Sequence, residues 1–202
     1  MLSYFLLFLY NKTLINKIKV DINNTNLRKT LICEKIILGV GNELIKFSKI
    51  IDYGKTGIID RSNPISIESI SLIYDACGMA IYQIENKHKN NLPLLLIVGW
   101  KVSMPFITKE NKWFVFVGYE TDINFPNEKS INKYLNENGN LGSNTLVFKA
   151  YSIAIDISIN NGNDAQLNIN IRNINRSYFG IIKKYCKTFK FSSKKIAIYS
   201  NI

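Results

Sequence analysis

The 202-residue sequence has few side chains able to hold a metal ion. Its three cysteines, Cys33, Cys77 and Cys186, lie far apart and form no Cys-x-x-Cys pair, and His88 is the single histidine. Because a zinc site needs about four ligands at short spacings, we expect no metal site and no cofactor. Apolar neighbours around Cys33 and Cys77 predict buried thiols, with a Cys–His nucleophile pair as the alternative.

Sequence patterns of common enzyme sites are also missing. Acidic residues such as Asp52, Asp60, Glu68 and Asp75 are isolated among predicted strands and turns. No paired-carboxylate pattern, glycine-rich phosphate loop or triad spacing emerges along the chain. We therefore expect a protein that is not an enzyme.

The sequence has no apolar run long enough to span a membrane as a helix. Its longest candidate, MLSYFLLFLYNK at the N-terminus, is well short of the roughly 20 residues that a span requires. The length suits the apolar core of a signal peptide, but the positive flank and the small-residue cleavage site are missing. Residues 1–11 are therefore a signal peptide, a buried first strand or a membrane-inserting segment.

Negative charge is absent from the C-terminal part of the chain. After Asp164 there is no acidic residue, whereas eight Lys and Arg residues follow, and the net charge of the whole chain is +11. Such a chain is attracted to anionic partners, either nucleic acid or an acidic membrane surface. Because no RNA-binding motif accompanies the basic residues, we do not expect nucleic acid as the partner. The basic extension over 173–202 is either a solvated tail or a contact with an anionic surface.

What is present is a pattern of short β-strands. In YSIAIDISINNGNDAQLNINIR, apolar residues alternate with small or polar ones on both arms of a Gly-Asn turn, which predicts an antiparallel hairpin. The segments 35–40, 79–84, 94–100 and 113–119 also read as strands. With 47% hydrophobic residues and no linker, the chain predicts a mainly β protein. We expect a compact antiparallel β-sandwich with one or two short flanking helices.

Two segments favour helices. Ile131, Tyr134 and Leu135 share one face at helical spacing, which predicts a short helix over 128–136. In KTLINKIKVDI, an apolar face formed by Leu14, Ile15, Ile18 and Ile22 predicts a second helix, although alternation through Ile18, Val20 and Ile22 also fits a strand. The segment SYFGIIKKYCKTFKF fits a basic amphipathic element or a closing strand.

The stretch WKVSMPFITKENKWFVFV contains Ser103, Met104, Pro105 and Phe106, then a polar loop, then Trp113 and Phe114. This order resembles the Ser-Val-Pro-Tyr turn, aromatic loop and Trp-Trp strand of the actinoporins, the pore-forming cytolysins of sea anemones. KIILGVGNE, YGKTG and CGMAIYQIEN are similar to earlier elements of that family and occur in the same order. The resemblance covers about residues 35–172 and implies an actinoporin-like β-sandwich domain there. It also implies an N-terminal segment over 1–34 that is signal-like or inserts into the membrane.

The resemblance implies a secreted toxin that binds membrane lipids and then associates with the target membrane. It implies phosphocholine or anionic headgroups as partners, a homo-oligomer on the membrane and, if the protein is lytic, a pore formed with the N-terminal segment. The residues implied for headgroup binding are Thr56, Ser103, Pro105, Phe106 and Tyr134. Those implied for membrane docking are Trp113, Phe114, Lys109 and Lys112. The polar loop ITKENK replaces aromatic residues of the family, and its lysines favour anionic lipid phosphates.

Two questions stay open at this point. Trp113 stands at the start of an apolar strand, so its ring is either a surface anchor or part of the core. Actinoporin-like folds are also similar to those of certain fungal fruiting-body lectins. A non-lytic binding module, lectin-like or specific for a protein partner, is therefore the alternative function on the same sandwich.

Overall fold

The computed structural model describes residues 16–27, 29–47, 49–51, 65–71, 75–89, 92–103, 110–174 and 198–199. These residues form two stacked β-sheets with one α-helix. The strands are β1 (Asn16–Asn26), β2 (Leu31–Leu38), β3 (Asn42–Lys46), β4 (Ile50–Ile51), β5 (Ile65–Ser71), β6 (Ala76–Lys89), β7 (Leu92–Val102), β8 (Lys112–Tyr119), β9 (Asn140–Leu141), β10 (Ser143–Phe148), β11 (Ile153–Ile159), β12 (Asp164–Asn173) and β13 (Ile198–Tyr199). The helix is α1 (Ile131–Asn138), and short 3-10 turns occupy Glu120–Asp122 and Lys149–Tyr151.

The strands are divided between a seven-stranded and a six-stranded sheet. The order in the first is β13-β10-β11-β12-β1-β5-β3, and the order in the second is β4-β2-β6-β7-β8-β9. The predicted mainly β sandwich with a flanking helix is therefore confirmed. It is not antiparallel throughout, because β1 runs parallel to β12 and β13 runs parallel to β10.

The predicted helix over KTLINKIKVDI is wrong for the described residues, which begin at Asn16. Ile18, Val20 and Ile22 are fully buried on one face of β1, as the alternative strand pattern requires. β1 has β12 on one side and β5 on the other, so its backbone groups are paired in both directions. This pairing between distant segments outweighs the local helical pattern. Leu14 and Ile15 lie outside the described residues.

Strands at both ends of the chain extend the sandwich beyond the predicted domain range of 35–172. Residues 16–26 and 31–38 are strands of the sandwich, and within the predicted N-terminal segment residues 1–15 and 28 lie outside the described residues. At the other end, Ile198 and Tyr199 pair with Val147 and Phe148 at the edge of the seven-stranded sheet. The stretch between 175 and 197, with the segment SYFGIIKKYCKTFKF and Cys186, lies outside the described residues.

The remaining element predictions are confirmed with shifted bounds. β6 and β7 form the predicted hairpin, with Ile81 opposite Ile97, and β11 and β12 form the Gly-Asn hairpin, with Ile157 opposite Ile169. β8 covers the predicted strand over 113–119, and β2 begins four residues before the predicted strand at 35. The predicted helix begins three residues later, at Ile131.

The hydrophobic side chains form two layers on opposite faces of the six-stranded sheet. The main core lies between the sheets and contains the rings of Trp100 and Trp113, which are cross-strand neighbours on β7 and β8. A smaller core lies on the outer face, where Ile131 and Leu135 of α1 pack against Met79 and neighbouring apolar side chains. The six-stranded sheet is therefore covered on both faces where α1 lies, and this position of α1 creates the candidate site.

Replacement of Ile18 tests the place of β1 in the core. Because the side chain is fully buried between the sheets, Ile18→Ala should lower the free energy of unfolding by about 2–5 kcal/mol. Lys17→Ala is the matched control on the opposite face, with an expected change within about 0.5 kcal/mol. Urea unfolding followed by circular dichroism measures both, and equally small losses would show that β1 does not pack in the core.

Candidate functional site

The candidate site lies at the end of the six-stranded sheet where β7 stops and β8 starts. Ser103 follows β7, Asn111 precedes β8, and α1 lies on the outer face of the same two strands. Of the residues predicted for headgroup binding and docking, Ser103, Lys112, Trp113, Phe114 and Tyr134 are described. The others, Thr56, Pro105, Phe106 and Lys109, lie outside the described residues.

Asn111 joins the ends of β7 and β8 to a turn of the other sheet. Its side chain is buried, and its Oδ1 accepts a hydrogen bond from the backbone N–H of Ser103 at 3.1 Å. Its Nδ2 donates to the carbonyls of Asn160 at 3.0 Å and Gly162 at 2.9 Å. One amide therefore fixes the base of the loop between Ser103 and Glu110 against the β11–β12 turn. Nothing in the sequence distinguished Asn111 from the other polar residues of ITKENK.

Trp113 is a core residue, which corrects its prediction as a membrane anchor. The ring has no exposed surface, and its Nε1–H donates to the carbonyl of Gly142 at 2.9 Å. The inward direction follows from the pleat of β8, in which Trp113, Val115 and Val117 face the other sheet. A ring that is buried and hydrogen-bonded in this way has no face available for lipid.

Phe114 and Tyr134 lie on the outer face of the sheet and contact each other. Their ring centroids are 5.4 Å apart in an edge-to-face arrangement, and both side chains are half-buried. Burial raises the pKa of the Tyr134 hydroxyl, so this group stays protonated at neutral pH. Beside them, Lys112 Nζ donates to the carbonyl of Asn136 in α1 at 2.6 Å. We call Lys112, Phe114 and Tyr134 the α1 surface.

A buried ion pair holds α1 on the sheet. The ammonium of Lys101 is 2.7 Å from the Asp75 carboxylate, and the Lys101 side chain is only 2% exposed. The same ammonium donates to Oδ1 of Asn132 at 2.6 Å and to Oδ1 of Asn136 at 2.7 Å. Asn132 Nδ2 in turn donates to Asp75 at 3.2 Å. We call these four residues the Lys101 cluster.

The contact between α1 and the sheet is close. A Cβ on Gly99 would lie 2.9 Å from Leu135 Cδ2, so the absence of a side chain on β7 lets α1 approach. Sequence reasoning missed the Lys101 cluster because Asp75 looked like an isolated acid and no pattern singled out Lys101. The only available pattern was Asn132 and Asn136 at i and i+4, which places both amides on one helix face.

The two described thiols are buried, as predicted. Cys33 and Cys77 are free cysteines within apolar surroundings. Burial raises the pKa of Cys77 to about 11 although the Lys101 charge opposes this, so the thiol is protonated at neutral pH. Burial also raises the pKa of Cys33.

Comparison with known proteins identifies the fold but no family. No family model and no curated protein matches the chain. The lectin of Xerocomus chrysenteron superposes with a TM-score of 0.50 at 11% identity, covering 78% of this chain and 99% of the lectin. A mutated form of that lectin superposes with a TM-score of 0.51 at 10% identity, covering 78% of this chain and 97% of the mutated lectin. The lipid-binding protein Nakanori superposes with a TM-score of 0.54 at 11% identity, covering 85% of this chain and 77% of Nakanori.

The chain shares the fold of a lectin and of a lipid-binding protein. Identities near 10% establish only that the architecture is shared. Because no family model and no curated sequence matches, the resemblance to actinoporins stays a prediction. Within the described part of the chain, no helix combines the length and the apolar character needed to cross a bilayer.

Replacement of Asp75 tests the Lys101 cluster. Asp75→Ala leaves the Lys101 ammonium buried without its counter-ion and should lower the free energy of unfolding by about 3 kcal/mol. The control is Glu137→Ala, which breaks the exposed Lys133–Glu137 pair at 3.9 Å on the same helix. That change should cost no more than about 0.5 kcal/mol. Chemical denaturation compares the two variants, and similar values would show that the buried pair does not hold α1.

Proposed function

We propose that the protein binds membrane lipids as a folded β-sandwich and docks on their headgroups with the α1 surface. The observation that carries the proposal is the contact of Tyr134 with Phe114 beside Lys112, which brings residues predicted from two segments of the sequence together. The likeness to the lipid-binding protein Nakanori supports it at the level of the fold.

The chemistry of the α1 surface suits the membrane interface. Tyr134 presents an apolar ring and a neutral hydroxyl, a combination that settles between the acyl chains and the headgroups. Its ring is held edge-on by Phe114, which fixes its direction. The Lys112 ammonium has donors beyond the one that contacts Asn136, and these suit a lipid phosphate. The net charge of +11 favours anionic bilayers over neutral ones.

Docking of this kind leaves β1 in place. Insertion of the whole predicted segment 1–34 would remove β1 from between β12 and β5 and expose the core that Ile18, Val20 and Ile22 fill. We therefore propose binding without lysis as the basic activity, and dye leakage from the same vesicles tests pore formation separately. Secretion and a homo-oligomer on the membrane stay predictions.

Vesicle co-sedimentation tests lipid binding. The protein should sediment with vesicles containing phosphatidylserine more strongly than with pure phosphatidylcholine, and added salt should weaken the difference. Lys112→Gln should reduce binding to the anionic vesicles roughly fivefold, since a lysine near such a surface contributes about 1 kcal/mol.

Lys149→Gln is the charge-matched control, because Lys149 is exposed in a turn that follows β10 in the other sheet. Absence of binding to every neutral and anionic vesicle would overturn the proposed function. Equal losses in the two lysine variants would retain lipid binding but remove the α1 surface from it.

Carbohydrate binding is a second candidate, favoured by the outer face of the seven-stranded sheet. There Asp21 is buried, with one oxygen contacting Lys19 at 3.1 Å and Gln166 at 2.8 Å. Its other oxygen, Oδ1, is buried without a hydrogen-bond partner. Cross-strand neighbours Asn168 and Ser158 extend this polar row. Carboxylates and amides in a row are suited to sugar hydroxyls, which both donate and accept hydrogen bonds.

A glycan array followed by titration calorimetry tests this candidate. A lectin should bind a restricted set of glycans, and Asn168→Ala should weaken that binding at least about tenfold because one amide can make two hydrogen bonds to a sugar. Asn138→Ala, on the exposed end of α1, is the control that should bind like the wild type. A protein that binds no glycan would eliminate the candidate.

A further inference from the structure

The large apolar side chains that are exposed concentrate on one edge of the sandwich. Among the described residues seven such side chains are exposed, and all but Leu141 lie between positions 32 and 50. We call this group the apolar edge, and it consists of Ile32, Val40, Leu44, Ile45, Phe47 and Ile50. A cluster of this kind on a protein surface marks an interaction site more often than isolated exposed residues do.

The fold places the apolar edge along one side of both sheets. β4 is the last strand of the six-stranded sheet and β3 is the last strand of the seven-stranded sheet. Ile32 and Ile50 are cross-strand neighbours in β2 and β4, whereas Leu44 and Ile45 belong to β3. From Ile32 to Leu38, β2 spans about 20 Å at roughly 3.3 Å per residue, and the turn at Val40 follows it.

At its Val40 end the apolar edge is connected by hydrogen bonds to the Lys101 cluster, which lies beneath α1. Asn42 accepts a hydrogen bond from the backbone N–H of Cys77 at 2.8 Å and donates to the carbonyl of Asp75 at 3.2 Å. It thereby fixes the turn at Gly41, whose φ of 74° favours glycine, and leaves Val40 59% exposed. Asp75 is the residue that pairs with Lys101 beneath α1.

The edge is poorly suited to pairing with a strand of a second copy. The register of β3 against β5 shifts between Leu44 and Lys46, so Ile45 is the extra residue of a bulge and is 55% exposed. Bulges and lysines on an edge strand disfavour the addition of another strand. Two copies with a charge of +11 each also repel one another.

The charges along the edge are instead suited to an anionic bilayer. Lys46 and Lys49 flank Phe47, and all three side chains are exposed. In this arrangement the apolar side chains can enter the acyl region while the ammonium groups remain at the phosphates. Lys35 adds a third exposed ammonium, against the two exposed carboxylates of Glu34 and Glu43.

We propose that the apolar edge is the part of the docking surface that enters the lipid, with an anionic phospholipid bilayer as its partner. This inference rests on the proposed function and assigns the apolar contribution to β2, β3 and β4. The α1 surface supplies headgroup contacts at one end. The edge supplies the apolar area that enters the lipid, a role that Trp113 cannot fill because its ring is buried in the protein core.

Flotation with vesicles of about 70% phosphatidylcholine and about 30% phosphatidylserine tests the inference. The double variant Ile45→Ser, Phe47→Ser removes apolar surface without a change in charge and should lower the partition coefficient about tenfold. Ala150→Ser is the control, because Ala150 is exposed in the turn that follows β10, outside both the edge and the α1 surface, and should partition like the wild type. Thermal unfolding checks that all variants are folded.

A second pair of changes serves if the double serine variant does not fold. The double variant Lys46→Gln, Lys49→Gln should reduce partitioning at least about tenfold, because each lysine contributes about 1 kcal/mol. The single variant Lys149→Gln, which keeps Lys112, should not reduce it in this way. Wild-type levels of partitioning in both edge variants would overturn the inference while lipid binding itself stands. A wild-type protein that binds no vesicle would overturn both proposals. A dimer in light scattering that the edge variants abolish, with unchanged partitioning, would assign the edge to self-association instead.

Discussion

The pairing of β1 with β12 and β5 holds the seven-stranded sheet together. Without β1 the sheet would divide into β13-β10-β11-β12 and β5-β3, and the apolar side chains of the second sheet would lose their cover. The pairing joins positions near 20 to positions near 167, so it forms only when most of the chain is folded. Such long-range pairing is slow to form but stabilises the whole sandwich once made.

This constraint bears on how the protein meets a membrane. A strand with neighbours on both sides is costly to remove, so lipid contact falls to surfaces that the folded sandwich already presents. The α1 surface depends on the Lys101 cluster, which fixes the helix by an ion pair and three amide contacts around the buried Lys101 side chain. The apolar edge depends on the two sheets ending side by side. Both surfaces therefore depend on the same packed scaffold.

The residues predicted for docking lie partly in the core and partly on the surface, and the pleat of the strand decides which. Side chains on a strand face in or out according to the pleat, and this assigned Trp113 to the core and Phe114 to the surface although they are adjacent. Tyr134 was predictable as part of a helical face. Its contact with Phe114 required knowledge of where α1 lies on the sheet. Asn111, Asp75 and Lys101 carried no pattern, because a buried polar network is defined by partners that are distant in sequence.

The sequence by itself determined the strand content, the β6–β7 and β11–β12 hairpins, the short helix and the burial of the two described thiols. These follow from alternation, turn residues and local hydrophobicity, which act over a few residues. Only the tertiary structure decided that residues 16–26 form a strand, that Trp113 is inside and that six exposed apolar residues share one edge. Each of these depends on which distant segment lies alongside, and that is settled by the free energy of packing two whole sheets together.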